Sequence, residues 1–185
     1  MEKNKLLYMV FVALLAAIIC VLAPLSVPVG LVPISLGSFA VYLAATLTNR
    51  KIGTAAVLLY VLLGAVGTPV FAGWTGGFAR LAGPTGGFIL GYIPCAYVIG
   101  LLTDKLESHK WSFPVAMVAG TVILYAFGLA WFMIATKNDF LYSFAACVTK
   151  FLPGDALKIV AATAVVIPVR GQIKKLFLRK TERSL

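Results

Sequence analysis

The sequence predicts an all-α integral membrane protein of six transmembrane helices with both termini in the cytoplasm. Three observations carry that prediction. Of the 185 residues, 61% are hydrophobic and only 12% are charged, against about half apolar and about a quarter charged in a soluble domain. The apolar residues fall into six runs near the roughly 20-residue length that crosses a bilayer. The basic residues cluster at the ends of those runs, and mostly at one set of ends.

The first predicted helix covers 6–25. No small-residue cleavage site follows it, so it reads as a span and not as a removable signal peptide. Ala13 and Ala17 lie four apart on it, both small, on one face. That spacing either lets a neighbouring helix approach closely or serves packing within the bundle. The second and third helices, 34–47 and 52–66, are short for spans. The fourth covers 85–102, the fifth 113–135 and the sixth 154–169. An amphipathic piece, 140–150, lies between the last two. Residues 171–185 form a basic tail, and 1–185 reads as one membrane domain.

Charge sets the orientation. Lys3, Lys5, Arg50, Lys51, Lys105, Lys110, Arg170, Lys174, Lys175, Arg179, Lys180 and Arg183 fall on one side of the alternating spans. Arg80, Lys137, Lys150 and Lys158 fall on the other. The richer side is cytoplasmic by the positive-inside rule. The net charge of +10 is therefore read as topology, and nucleic acid is not a partner. The lipid bilayer is. Cys20, Cys95 and Cys147 lack metal-ligand spacing and read as small core residues. With His109 as the one histidine, a zinc site or a Ser-His-Asp triad is not expected. A phosphate-binding GxxxxGK[ST] loop is absent too.

The outward connections are long and rich in Gly, Pro and aromatics, and loops carry function more often than the spans that hold them. FAGWTGGFARLAGPTGGF, residues 71–88, joins the third and fourth helices. Gly76, Gly77 and Gly86 let backbone approach a small ligand or a helix end closely. Phe71, Trp74, Phe78 and Tyr92 are candidate apolar walls, although Trp74 and Phe78 suit interface anchors equally well. Arg80 offers a fixed charge and a planar fork for a carboxylate. Free N–H groups near Thr85 and Gly86, where the fourth helix starts, could meet a polar ligand atom. The plainer reading is an exposed loop with a solvated arginine.

FLPGDALK, residues 151–158, is the second constellation. Pro153 and Gly154 break the chain, Asp155 stands where a helix N-cap belongs, and Lys158 follows on the same helical face. A capping aspartate with a lysine reaching the interface would explain the pair. An acid and a base at the end of a span are also a functional-site candidate. Asp155 would accept from ligand N–H groups, and Lys158 would meet negative charge.

GTPVFAGWTGGFARLAGPTGGFILGY, residues 67–92, followed by FLPGDALK, closely resembles the BioY family. PVFAG, GG, GPTGG and PGD-x-x-K occur in that order and spacing, and the likeness covers most of the chain. BioY proteins are biotin-specific S components of energy-coupling factor (ECF) transporters of the bacterial cell membrane. The resemblance implies an S-component bundle that binds biotin on its outer side. Asp155 and Lys158 would line the pocket, with the glycine-rich loop over it. Ala13 and Ala17 would meet a transmembrane coupling protein, and two ABC ATPases would supply energy. No cofactor is implied. Biotin carries two ureido N–H donors, a carbonyl and an acidic tail. Asp155 would take a ureido N–H, and either Lys158 or Arg80 the carboxylate. One departure stands out: relatives often have PVTLQTF where this chain has PISLGSF, so Gly37 replaces a common glutamine.

Three other readings compete. An S component for another vitamin shares the architecture. A small membrane enzyme would need a histidine, paired acids or a metal cluster, and His109 sits in the charged stretch DKLESHK. A purely structural subunit would not explain polar residues gathered on one face.

Overall fold

The structure is a computed structural model describing residues 2–28, 31–106 and 111–182. His109 lies outside the described residues. Helices dominate: α1 (Glu2–Leu22), α2 (Gly37–Leu47), α3 (Arg50–Ala65), α4 (Phe78–Ala82), α5 (Gly86–Lys105), α6 (Ser112–Thr136), α7 (Phe140–Phe144) and α8 (Leu152–Glu182). A π-helical turn, Ala145–Thr149, joins α7 to α8. Two residue pairs, Ser26↔Ser35 and Val27↔Ile34, make a short antiparallel ribbon between α1 and α2.

Each expected run is a helix, but length separates them. Lys5–Leu22, Gly86–Lys105, Ser112–Thr136 and Phe140–Ile173 are long and apolar enough to cross a membrane. The 11 residues of α2 reach only about 16 Å, and the 16 of α3 about 24 Å, at 1.5 Å per residue. Both fall short of the roughly 30 Å hydrocarbon thickness. Both press a face into the core, where Tyr42, Val41, Ile52, Ala56 and Tyr60 are fully or almost fully buried, while α3 leaves Leu58, Leu62 and Leu63 exposed. The Tyr42 hydroxyl and Thr121 Oγ1, 2.6 Å apart, join α2 to α6 inside that core.

Several boundaries differ from the sequence reading: α1 ends at Leu22 and not at 25, and Ile34 and Ser35, expected to open the second helix, pair in the ribbon so that α2 starts at Gly37. Arg80 belongs to the helical turn α4 and not to irregular loop. The last helix starts at Leu152 and runs through Glu182, so residues 171–182 of the expected basic tail are helical and continuous with α8. Asp155 consequently lies inside the first turn of α8, and its side chain engages other helices instead of capping its own.

The molecule has two chemically distinct ends. At one, Tyr8 donates to Lys51 O at 3.3 Å and the Arg50 amide donates to Asp104 Oδ2 at 3.0 Å. Arg170 of α8 donates to Thr46 O there and lies 3.7 Å from Asp104 Oδ1. Its guanidinium sits 5.4 Å from the Phe113 ring centre. This end gathers the start of α3 and α6 and the finish of α2 and α5. The other end carries the ribbon, the 66–86 connection and the first turn of α8.

Candidate ligand-binding site

At the ribbon end, α2 begins next to the first turn of α8. This brings Ser38 beside Asp155, 117 positions away in sequence. Asp155 is 5% exposed. Its Oδ1 accepts from Ser38 Oγ at 3.0 Å and from Lys158 Nζ at 2.8 Å. Its Oδ2 accepts from the Tyr125 hydroxyl of α6 at 2.6 Å. Lys158 Nζ also donates to Ser38 Oγ at 3.0 Å. A buried ion pair is tolerated only when its remaining donors and acceptors are matched, and here Ser38 and Tyr125 supply the matches.

The valences can be counted. A carboxylate has about four lone-pair positions and an ammonium three N–H donors. Three of the four are used by Ser38, Lys158 and Tyr125, and two of the three by Ser38 and Asp155. Among the described residues, one acceptor position on Oδ2 and one donor on Nζ therefore remain. Both residues line a cavity of about 50 Å³ shared with Val32, Phe88, Leu124 and Phe151. Phe88 and Phe151 stack with ring centres 6.4 Å apart.

A second cavity of about 50 Å³ adjoins the first, with Val32, Pro33, Ser35, Phe88 and Tyr92 lining both. Arg80, Thr85, Phe71 and Tyr60 also line it. The local fold explains this. Phe71 and Thr75 pair across a tight turn, with Gly73 at φ 72° and Trp74 at φ 58°. The Gly73 amide ties the turn to Pro24 O at 3.0 Å. Phe71 drops against Gly64 of α3, where any Cβ would collide with its ring, and meets Tyr60 edge-on at 5.6 Å. Arg80 itself is exposed on the rim.

The predicted residues therefore divide. Asp155 and Lys158 meet in one cavity. Arg80, Thr85 and Phe71 meet in the other, and Tyr92 borders both. Trp74 and Phe78 line neither cavity and are 62% and 75% exposed, so the apolar walls fall to Phe71, Phe88, Phe151 and Tyr92. Gly76 and Gly86 are closely packed on the backbone of Thr68 and Leu81, and Gly77 precedes α4 at φ 92°. These glycines shape the connection and line neither cavity. Ser35, Ser38 and Tyr125 escaped the sequence reading. Ser35 and Ser38 flank the departure at Gly37, and Tyr125 is a polar-tipped residue in an otherwise apolar span, which was the available signal. Gly37 has a structural reason as well. A Cβ there would stand 2.7 Å from the Tyr92 hydroxyl, so the missing side chain makes room for that tyrosine.

Away from the cavities, α1 presents Ala13 and Ala17 outward, with Leu6, Met9, Val10 and Leu14 also exposed. Leu15, Ala16 and Ile19 form its core-facing side. Internal packing therefore does not account for the small pair.

Comparison with known proteins now adds weight. The family model described as "BioY family" matches residues 1–175. The chain is 41% identical over 154 residues to "Biotin transporter BioY" of Thermotoga maritima, covering 83% of this chain and 90% of that one. It is 34% identical over 163 residues to "Biotin transporter BioY2" of Lactococcus lactis, covering 88% and 90%. Among solved structures, "the S-component for biotin from an ECF-type ABC transporter" superposes with a TM-score of 0.85 at 26% identity, covering 92% of this chain and 94% of that one. With its fold, its motif order and these matches in agreement, the chain belongs to the BioY family.

Proposed function

We propose that this chain captures biotin at the outer face of a bacterial cell membrane, as the S component of an ECF-type ABC transporter. It is a transport component and not an enzyme. The observation that carries the ligand is the spare capacity of the buried cluster, whose charged groups already have partners: among the described residues, one further acceptor position on Asp155 and one further donor on Lys158. That pair is complementary to an N–H adjacent to a carbonyl, the arrangement of a ureido ring. Phe88 and Phe151 supply apolar surface for the fused rings. Because Lys158 is already committed to Asp155 and Ser38, the acidic tail is assigned to Arg80 on the rim of the adjoining cavity.

The two cavities are small beside the several hundred Å³ of usual ligand pockets. Ligand entry then requires the 66–86 connection to yield. The end rich in Lys and Arg faces the cytoplasm, which turns the cavities outward; the short α2 and α3 run between the same two ends, so the chain makes six passes of which four are full-length. Ala13 and Ala17 meet the transmembrane coupling protein, and two partner ATPases provide the energy.

The test is equilibrium binding of biotin to the purified protein in detergent, with riboflavin and thiamine as controls. Selective one-to-one biotin binding is the expected result. Selective binding of either control would assign the site to another vitamin.

A further inference from the structure

Tyr125 makes the shortest of the three polar contacts to Asp155, at 2.6 Å, yet belongs to none of the motifs. It projects from the middle of α6, four helices after Ser38 of α2 and two before Lys158 of α8. Tyr125 and Asp155 together border two different spaces. One is the cavity they share with Ser38 and Lys158. The other is an apolar groove of about 310 Å³ between α6 and α8, lined by Val118, Val122, Leu152 and Ile159. Both helices are apolar enough to cross a membrane, and the exposed Val118, Val122 and Leu152 give the groove an apolar mouth suited to hydrocarbon. The carboxylate thus stands on a boundary between polar and apolar surroundings.

Oδ1 is pinned by two donors, Ser38 and Lys158. Among the described residues, Oδ2 has Tyr125 alone. Without that donor, both lone pairs of a desolvated oxygen would border the groove, a costly arrangement that the carboxylate would relieve by turning. We propose that Tyr125 is a positioning residue of the ligand site: its hydroxyl fixes the plane of the Asp155 carboxylate so that one Oδ2 lone pair meets a ligand N–H, while its ring closes the site against the groove. The proposal rests on the reading of Asp155 as the acceptor of a biotin ureido N–H.

The experiment compares wild type with Y125F for two probes, biotin and a biotin analogue methylated on its ureido nitrogens, by equilibrium binding to the full chain in detergent. Phenylalanine deletes one oxygen and keeps the ring, and thermal unfolding of the ligand-free variant verifies its fold. Y125F is expected to weaken biotin about tenfold, in line with loss of a hydrogen bond to a charged group. The same change should move the methylated analogue by less than about threefold, so that discrimination between the probes collapses. Y125H, which returns an N–H donor on a ring, should recover part of that discrimination. Equal weakening of both probes, or unchanged biotin affinity, would overturn the proposal while leaving the biotin reading intact. Failure of the wild type to bind biotin would remove both.

Discussion

Asp155 and Lys158 are three residues apart in sequence, and their pairing at 2.8 Å follows from helical geometry alone. What geometry along one helix does not give is the cost of their burial, with side-chain exposures of 6% and 12%. Replacing one member strands the other. Asp155→Asn is expected to weaken biotin binding by about a hundredfold or more, at about 1.4 kcal/mol per tenfold, measured by titration calorimetry. Lys158→Met should act on the fold itself. It leaves a carboxylate buried without its cation, so the ligand-free protein should lose about 3–5 kcal/mol of stability, read by denaturant unfolding. Gly37 was legible as a departure from the family pattern but not as a cause. Only the folded chain puts position 37 against the Tyr92 hydroxyl.

Among the elements, α1 divides most clearly into a buried and a free side. Ala13 and Ala17 lie on the free side, and their small size would let a partner helix approach closely. Substituting both with tryptophan is expected to abolish capture of the coupling protein in a pull-down while leaving biotin affinity within about twofold. Loss of both activities together would place the pair in the fold instead. The 66–86 connection depends on α3 in a different way. Phe71 is 1% exposed because Gly64 leaves space for its ring. Gly64→Val should expel that ring and lower stability by about 2–4 kcal/mol, as over-packing and lost burial combine. Biotin affinity should fall with it, since Phe71 lines the second cavity. The sequence marked this stretch as special by its glycines and aromatics, yet it did not separate aromatics that point inward from those that point out. Phe71 and Phe78 have the same chemistry, and only the tight turn between Phe71 and Thr75 sets their opposite fates.

For the whole molecule, α8 carries a polar cluster at each end. α8 carries Asp155 near its start and Arg170 fifteen positions later, about 22 Å along the axis. Arg170 joins α2, α5 and α6 through Thr46, Asp104 and Phe113. A planar guanidinium can serve a carbonyl, a carboxylate and a ring face at once, which a lysine cannot. Arg170→Lys is therefore expected to lower the unfolding free energy by about 1–3 kcal/mol despite keeping the charge, measured on ligand-free protein. Full stability in that variant would reduce the contact to a simple charge effect.

Composition and periodicity by themselves determined that the chain is helical and membrane-bound, because both follow from the solvent each residue must face. The order of motifs pointed to the family, and the spacing of Asp155 and Lys158 to a shared helical face. The tertiary structure decided which helices are long enough to span, which aromatics are walls, and which distant side chains complete the acid–base pair. Ser38 and Tyr125 reach Asp155 from two other helices, 117 and 30 positions away. Contacts of that separation leave no periodic trace in a sequence, since they depend on how helices pack and not on how any one helix turns.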